Sequence, residues 1–533
     1  MNSAESSVEI AAAINDAVEQ ASRPDASISK KEAVLRISPH QLEAVLHAGF
    51  ENTTRDVLTS GLGASPGAAV GRIVLTADDA MMATDDVILV RQETSPADVH
   101  GMQVAVGILT TRGGLASHAA VVARGWGKPA VCGAENIEIG TDHILINGER
   151  IDVGETLSID GGSGEVIRGA LQTTDVDPIP ALATLLTWAD ELRVLGVRAN
   201  ADTASEAKIA RDNGAEGIGL CRTEHMFLDE QRLPLIRNMI LADTPEQETQ
   251  ALNDLRDTQY NDFAELLEQM DGLPVTVRLL DPPLHEFLPD IDELLEAAAR
   301  NELDEEGEAL LGAAQKWRER NPMIGTRGVR LAWLKPGLYE MQTEALLDAI
   351  SQRIAAGGHP VVEIMIPLTV SGKELSGIRQ QIEAVVQGHG STASIKIGTM
   401  IETPRAALVA GELAEHADFF SFGTNDLTQL TFGFSRDDVE SRIMGLYLDE
   451  ELLEANPFQR LDSGAVIELV RSGIERGRTT KADLSVGVCG EHGGDPASIE
   501  LLAAAGVDYV SCSPPRVPIA RLAAAHAAIT DHA

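Results

Sequence analysis

The sequence predicts an α/β protein in which a small β/α domain is followed by a (β/α)8 TIM barrel. From Leu192 onward, short apolar strands alternate with helical stretches, and eight such units in a row are typical of a barrel. Upstream, residues 61–170 alternate short strands and helices on a smaller scale. The predicted barrel strands are Val194–Arg198, Gly217–Cys221, Val275–Leu279, Val361–Ile366, Lys396–Ile401, Phe419–Gly423, Val486–Cys489 and Tyr509–Cys512.

Four segments follow from this pattern. Residues 1–60 are polar and Ala-rich, and their weak periodicity indicates a helical, partly disordered segment. The small domain spans 61–170. Residues 171–191 carry Thr173, Thr174, Pro178 and Pro180 before a short helix, a composition typical of a linker. The barrel occupies 192–533, with a βα insertion between Asp281 and Pro360.

The small domain is expected to be built from short strands joined by glycine-rich turns. A helix is predicted to begin at Ser95–Asp98, and Gly161–Gly169 is predicted to form a hairpin or an exit turn. The predicted strands are Gly71–Leu75, Val87–Arg91, Val104–Leu109, Ala130–Cys132 and Thr156–Asp160.

Composition limits the classes of partner. The chain has 82 acidic and 42 basic residues among 533, a net charge of −40, which disfavours binding to nucleic acid or anionic membranes. No apolar run reaches the roughly 18 residues of a membrane span, and the polar N-terminus does not resemble a secretory signal. Four singly placed cysteines favour a reducing compartment, and we expect a cytoplasmic protein.

The stretch around His118 predicts a site for anion chemistry. Val104–Leu109 leads into Gly113–Gly114, Ser117 stands where a helix N-cap would, and Ala119–Arg124 is compatible with a helix. Free N–H groups and the helix dipole favour an anion at such a helix start. His118 is therefore a candidate phosphoryl carrier, and the alternative is a capping loop with an incidental histidine.

Polar side chains also follow the predicted barrel strands, at the end where barrel active sites form. Forked arginines suit phosphate or carboxylate, and paired carboxylates suit Mg²⁺ beside a phosphate. Each of these residues could instead serve in capping or a surface ion pair. The candidates are Asn200, Arg222, Arg278, Glu402, Asn425, Asp426, Glu491 and Cys512, with Arg327 added from the insertion.

The cysteines and histidines of the barrel have structural as well as functional interpretations. The thiol of Cys512, at the end of the last strand, could donate a proton to an enolate, although a buried cysteine is commonly only a small apolar side chain. Cys221 and Cys489 are taken as structural. His225, His285 and His492 have no tight His or Cys spacing around them, which favours structural roles over metal binding.

The motifs resemble those of the phosphoenolpyruvate-utilising family, and within it the pyruvate phosphate dikinases. Similarity extends from roughly residue 30 to the C-terminus. The segment around His118 resembles the family's phosphohistidine motif. The stretches that carry the resemblance are Thr111–Gly125, Gly217–Phe227, Arg278–Leu288, Met400–Arg405, Ser421–Gln429 and Cys489–Asp495.

The resemblance implies a fold, a reaction and a set of roles. The small domain would swivel and carry the phosphohistidine, and the barrel would bind phosphoenolpyruvate or pyruvate. His118 and Cys512 would be catalytic. Mg²⁺ would be held by Glu402 and Asp426. The substrate would be bound by Arg222, Arg278, Arg327, Glu402, Gly423, Thr424, Asn425 and Asp426.

The sequence also departs from the dikinase pattern. Ala116 stands where a regulatory threonine is usual, Thr326 replaces a histidine, and Pro515 replaces an aromatic residue. The dikinase ATP-binding domain is missing, so we expect a truncated form that needs a separate ATP-binding protein, and a homodimer through the barrel. The alternatives are a phosphorelay protein like enzyme I of the sugar phosphotransferase system, and a non-catalytic phosphoenolpyruvate sensor.

Overall fold

The computed structural model describes most of the chain. The described residues are 7–50, 55–94, 98–113, 117–174, 179–227, 232–289, 291–390 and 393–530. Ala116 and most of the helix start predicted at Ser95–Asp98 lie outside them.

Three helices open the described chain, where the sequence indicated a helical, partly disordered segment. Ser29 and Ser38 each accept a backbone N–H at the start of the second and third helices, forming capping boxes. Ile14 and Leu42 are fully buried in a core shared with the last helix of the chain. These buried contacts hold the three helices in place as part of the folded molecule. The helices are α1 (Ser7–Ser22), α2 (Lys30–Arg36) and α3 (Pro39–Val45).

The small domain is built on an eight-stranded mixed sheet with the order β2-β12-β11-β4-β5-β6-β7-β3, in which β4 to β7 run parallel. A short pair, β1 with β13, lies beside it. The elements are β1 (Gly49–Phe50), β2 (Val57–Ser60), β3 (Leu62–Ser65), β4 (Ala68–Val74), α4 (Ala77–Met82), β5 (Val87–Arg91), α5 (Val99–Val104), β6 (Gly107–Thr110), α6 (His118–Trp126), β7 (Ala130–Cys132), β8 (Ile137–Ile139), β9 (His143–Ile146), β10 (Glu149–Asp152), β11 (Thr156–Asp160), β12 (Glu165–Arg168) and β13 (Thr173–Thr174).

Most predicted strands of this domain are present, and three have the predicted bounds. The strand predicted at Val104–Leu109 begins later, because α5 extends to Val104. A three-stranded antiparallel sheet, β8 to β10, was missed. Its hairpin turns at Asn147–Gly148, both with positive φ (52° and 83°), and this Asn-Gly pair is a hairpin signal that the sequence contained.

The segment predicted as a linker is largely helix. Helix α7 (Pro180–Leu192) begins at a proline and buries Leu185, Trp188 and Ala189 against α1 and the last helix. It therefore packs as part of the barrel side of the molecule. The spacing of the apolar residues along α7 gives the helix a face that can be buried, although the prolines and threonines around it had suggested a linker.

A closed barrel of eight parallel strands confirms the predicted fold class. Neighbouring strands pair in chain order, and the first pairs with the last, Gly196 opposite Tyr509. Each predicted strand is present within two residues of its predicted bounds. The strands are β14 (Gly196–Asn200), β15 (Ile218–Arg222), β16 (Pro274–Arg278), β17 (Val361–Ile366), β18 (Ile395–Ile401), β19 (Phe419–Phe422), β20 (Ser485–Val488) and β21 (Tyr509–Cys512).

Helices surround the barrel, and those following β16 form the predicted insertion. Apolar side chains from strands and helices make one continuous core. No helix among the described residues is long and apolar enough to cross a membrane. The helices are α8 (Ala204–Asp212), α9 (Leu233–Leu241), α10 (Pro245–Gln269), α11 (Leu284–Phe287), α12 (Ile291–Ala299), α13 (Glu305–Lys316), α14 (Val329–Leu334), α15 (Leu338–Ala355), α16 (Gly372–His389), α17 (Pro404–Leu408), α18 (Ala410–Ala414), α19 (Thr424–Phe432), α20 (Arg436–Arg442), α21 (Met444–Asp449), α22 (Val466–Thr480), α23 (Pro496–Ala505) and α24 (Val517–Thr530).

Candidate active site

His118 is the first residue of helix α6. Ser117 is the N-cap, and its Oγ accepts the backbone N–H of Ala120 at 3.4 Å. Gly113 has φ 97°, and a Cβ there would lie 2.7 Å from the Ser117 side chain, so the turn needs glycine. The chain thus delivers the candidate carrier to a helix N-terminus, where backbone N–H groups favour an anion.

One large cleft, of about 3010 Å³, joins this helix start to the carboxyl ends of the barrel strands. Ser117 and Ala119, on either side of His118, line it. Eight of the predicted barrel residues also line it: Asn200, Arg222, Arg278, Arg327, Asn425, Asp426, Glu491 and Cys512. The predicted residues Glu402, Gly423 and Thr424 are not among those that line it. The fold therefore brings two distant parts of the sequence to a single cavity.

The arginines are held by buried carboxylates. Both Nε and Nη2 of Arg327 donate to Asp281, at 2.7 and 2.5 Å, and Nη1 lies 3.8 Å from Oδ1 of Asp426. Arg278 pairs with Glu224 and lies 3.4 Å from Asp281. Asp281 is fully buried, so two guanidinium groups and one carboxylate form a desolvated network in which the arginines have few rotamers.

Asp281 and Glu224 were missed by the sequence reasoning. Each follows an arginine by two or three residues in a quoted motif, and that spacing at a strand end was the available signal. Burial opposes ionisation of Arg278 and Arg327, but these carboxylates outweigh it and raise the pKa of both. Both guanidinium groups therefore remain charged, and the N–H groups that the carboxylates do not use can bind an anion.

Arg222 is anchored through Asp202, another residue that the sequence reasoning missed. Its backbone N–H donates to Oδ1 of Asp202 at 2.6 Å, and its Nη1 lies 3.5 Å from Oδ2. His225 Nδ1 lies 2.9 Å from the same Oδ2. Burial opposes ionisation of Asp202, yet His225 and Arg222 lower its pKa to about 2. Asp202 in turn raises the pKa of His225 against the effect of burial.

Glu402 and Asp426, the two predicted metal ligands, are buried carboxylates, and the two oxygens of Glu402 differ in their hydrogen bonds. Glu402 Oε1 accepts the backbone N–H of Leu368 at 2.6 Å, whereas Oε2 has no hydrogen-bond partner among the described residues. A Cβ on Gly423 would lie 2.6 Å from that oxygen, so glycine leaves space beside it. Burial, and then repulsion from Asp426 and Asp281, raises the pKa of Glu402 to about 8. Asp426 is shifted in the same direction, chiefly by burial.

This donor set fits Mg²⁺. An orphaned carboxylate oxygen next to a second repelling carboxylate is stabilised by a hard divalent cation. No group of three or more His, Cys, Asp or Glu side chains suited to a metal is found within the described ranges, so two carboxylates would leave the remaining coordination to substrate oxygens and water.

Thr424 and Asn425 begin helix α19 and pack on the loop after β20. His492 contacts Thr424 Oγ1 at 2.7 Å through Nδ1 and the Pro457 carbonyl at 2.9 Å through Nε2, which satisfies both ring nitrogens. This geometry agrees with a structural histidine. Asn425 accepts the Glu491 backbone N–H at 3.1 Å and donates to Glu491 Oε1 at 3.4 Å.

Cys512 differs from the other cysteines by lining the cleft. It is 1% exposed, and burial raises the pKa of its thiol to about 12. The group therefore stays a protonated thiol near neutral pH. Such a state suits a proton donor better than a nucleophile. Cys221 and Cys489 are equally buried but do not line the cleft, while the side chain of His285 is not described.

Two family sequence profiles match the chain. The PEP-binding domain of PEP-utilising enzymes matches residues 179–529, and the mobile domain of the same enzymes matches residues 83–164. The two profiles fall on the barrel with α7 and on the small domain. PEP is phosphoenolpyruvate.

Curated relatives agree with the profiles. Pyruvate, phosphate dikinase 1, chloroplastic, of Arabidopsis thaliana is 48% identical over 516 residues, which is 94% of this chain and 53% of the relative. Pyruvate, phosphate dikinase of Rhizobium meliloti (strain 1021) is 50% identical over 513 residues, 94% of this chain and 57% of the relative. The chain thus spans about half the length of the curated relatives it matches. It belongs to the family of PEP-utilising enzymes.

Proposed function

We propose that the chain is a phosphotransferase that interconverts phosphoenolpyruvate and pyruvate through a phosphohistidine on His118, as one part of a pyruvate phosphate dikinase-like reaction. The observation that carries the proposal is the shared cleft. The start of helix α6 and the arginines and carboxylates of the barrel mouth open into one cavity. The names of the relatives at about 50% identity agree with this reaction.

Substrate binding follows from the charge of the site. Phosphoenolpyruvate carries a phosphate and a carboxylate, and Arg222, Arg278 and Arg327 offer forked donors to both. Asp202, Asp281 and Glu224 hold those guanidinium groups in place. The remaining donors on each fork would bind the anion with little loss of side-chain entropy.

Glu402 and Asp426 would hold Mg²⁺, which neutralises charge on the phosphate and on the enolate oxygen when bound. Gly423 keeps space beside Glu402 Oε2. Thr424 and Asn425 would place the substrate against the two carboxylates, with one N–H of the Asn425 amide left over after its bond to Glu491.

In the transfer step, an imidazole nitrogen of His118 attacks phosphorus while the bond from phosphorus to the enol oxygen breaks. The electron pair stays on that oxygen and gives the enolate of pyruvate. The Cys512 thiol then gives its proton to the methylene carbon, and solvent restores the thiol. In the opposite direction, the thiolate takes a methyl proton and the enolate oxygen attacks the phosphohistidine.

The test is labelling. The protein is incubated with ³²P-labelled phosphoenolpyruvate and Mg²⁺, and the acid-labile label is mapped by peptide. We expect label on the peptide that contains His118, and none in His118→Ala. His100→Ala is a matched control, because His100 is a histidine of the same domain that lines the cleft. Equal labelling of His118→Ala would overturn the assignment.

We further propose a partner protein, an oligomeric state and a location for the chain. An ATP-binding protein would supply the nucleotide step of the dikinase reaction. A homodimer would form through the barrel, where Trp333, Leu334 and Leu408 are about half exposed, and sedimentation would test it. A cytoplasmic location agrees with four cysteines that are all free and buried.

A further inference from the structure

Helix α6 touches the barrel at the end opposite His118. Gly127, its C-cap, approaches the turn Pro514–Arg516 so closely that a Cβ would lie 3.1 Å from Pro515 Cγ. Arg124, in the last turn of the helix, lines the cleft that the two domains share. The carrier helix therefore has one end at the reaction cavity and the other against the barrel.

Glu491 lines the same cleft as Arg124, on the barrel side of this contact, and it is the carboxylate that acts most strongly on Arg124. Burial lowers the pKa of Arg124, and the strongest opposing influence is the Glu491 carboxylate. Arg516 and Arg436 repel Arg124, but each has an acidic partner: Glu43 at 2.9 Å and Glu440 at 3.0 Å. Glu491 lies in the PEP-binding domain and Arg124 in the mobile domain, so the attraction crosses between them.

The same Glu491 holds a predicted substrate-binding residue. Arg436 donates to both of its carboxylate oxygens, at 3.0 and 3.2 Å. The Asn425 amide accepts from the Glu491 backbone N–H and donates to its carboxylate. A flipped amide would place a donor against that N–H, so this pair of bonds fixes the amide orientation.

We propose that Glu491 is the docking acceptor for Arg124 of the mobile domain, and that it couples docking to substrate binding by positioning Asn425. The inference rests on the proposed function and deepens it. When the carrier helix is docked, Arg124 is a second cation beside Glu491, in addition to Arg436. It helps to hold the Glu491 carboxylate in the position from which Glu491 bonds the Asn425 amide and so presents Asn425 to the substrate. Because linkage is reciprocal, bound phosphoenolpyruvate favours the docked mobile domain by the same factor.

Docking of the mobile domain can be measured without the phosphoryl-transfer reaction. All four native cysteines are buried, so cysteines at the exposed positions Val153 and Glu475 can carry a donor and an acceptor dye for single-molecule energy transfer. We expect a docked population that Arg124→Gln reduces and Arg124→Lys partly restores. Arg72→Gln is the matched control, since Arg72 is a half-exposed arginine of the same domain paired with Asp85 at 2.8 Å. An unchanged docked population in Arg124→Gln would overturn the inference.

The coupling is measured by calorimetric titration with phosphoenolpyruvate and Mg²⁺ in a His118→Ala background, where no transfer occurs. We expect Arg124→Gln to weaken binding about fivefold, although Arg124 is proposed to act on the substrate only through Glu491. In the presence of Glu491→Gln the Arg124 substitution should add nothing further. Additive losses, or an unchanged Kd in Arg124→Gln, would overturn the coupling. If wild-type protein is never labelled on histidine, the proposed function fails, while the energy-transfer result still decides docking.

Discussion

Arg327 and Asp281 form a fork-to-fork pair inside the barrel mouth, with both distances at or below 2.7 Å and Asp281 fully buried. Arg278 approaches the same carboxylate at 3.4 Å. One buried acid therefore lies between two arginines that the sequence identified separately, and Glu224 is the second buried acid, paired with Arg278. Such an acid sets the position of both guanidinium groups, and the anion site depends on a residue that would not itself touch the anion.

Asp281→Asn should destabilise the protein strongly and weaken phosphoenolpyruvate binding. It removes the forked partner of the buried Arg327, while Arg278 keeps its pairing with Glu224, and breaking one buried pair costs on the order of 3–5 kcal/mol. Calorimetric unfolding and a binding titration measure the two effects. Asp243→Asn is the control, because Asp243 pairs with Lys316 in an exposed ion pair and its loss should change the melting temperature little. Equal effects of the two substitutions would contradict a structural role for Asp281.

His225 should titrate above its usual range. Asp202 raises the pKa of the imidazole, while burial and Arg222 act in the opposite direction. The pair therefore adds stability that is fully present below the unfolded value near 6.5 and is lost as pH rises through the folded value. The NMR shift of the His225 ring protons, followed against pH, measures this, and Asp202→Asn should move the midpoint down. A midpoint that does not move would remove Asp202 as the cause.

The strand ends of the barrel could be predicted because two patterns coincide there. Short apolar runs locate the strands, and the polar residue at each end marks the catalytic face, so Arg222, Arg278 and Cys512 were found at the positions where the structure has them. Asp202, Asp281 and Glu224 could not be ranked the same way. The spacing of Asp281 and Glu224 after an arginine was a local signal, but the importance of all three residues comes from burial beside particular arginines, which depends on how the loops cross the barrel mouth.

Helix α7, which lies between the two domains in the chain, shows what local sequence patterns could not predict. Helix α7 was read as linker because prolines and threonines surround it, yet its apolar side chains enter a core made with α1 and α24, residues far away in the chain. The placement of Arg124 and Glu491 along one cleft has the same character. Glu491 was identified as a residue that follows a strand, but no local pattern links it to Arg124, and only the docked arrangement of the two domains brings both residues to the cleft.

Gly423→Ala should weaken Mg²⁺ binding by roughly 10–100-fold, because a methyl group 2.6 Å from Glu402 Oε2 must displace that carboxylate oxygen. Titration with Mn²⁺, followed by its electron paramagnetic resonance signal, measures the affinity directly. Gly388→Ala is a suitable control, since Gly388 is exposed in the last turn of α16 and a Cβ there would meet nothing within 4 Å. Unchanged affinity in Gly423→Ala would argue against Glu402 as a ligand.

Cys512→Ala should slow exchange of the pyruvate methyl protons by about 10²–10⁴-fold, the usual contribution of a positioned acid or base. Exchange is followed by NMR in deuterated buffer, with protein already phosphorylated on His118 where exchange requires it. Cys489→Ala provides the control: Cys489 is also 1% exposed but does not line the cleft. Since the pKa of the Cys512 thiol is about 12, iodoacetamide at pH 8 should modify it slowly. Exchange that persists in Cys512→Ala would take this residue out of the mechanism.

The last prediction separates the two halves of a dikinase reaction. The 533-residue chain contains the residues proposed for phosphoenolpyruvate binding and for the carrier histidine, and they fall within the matching PEP-binding and mobile-domain profiles. We expect the purified chain to form phosphohistidine from phosphoenolpyruvate but to make no ATP from AMP, pyrophosphate and Mg²⁺, because the nucleotide step is assigned to an ATP-binding protein. The assay couples ATP to luciferase and follows histidine label in parallel. Label without ATP supports the division. Robust ATP formation by the chain alone would contradict it and would place a nucleotide site within these residues.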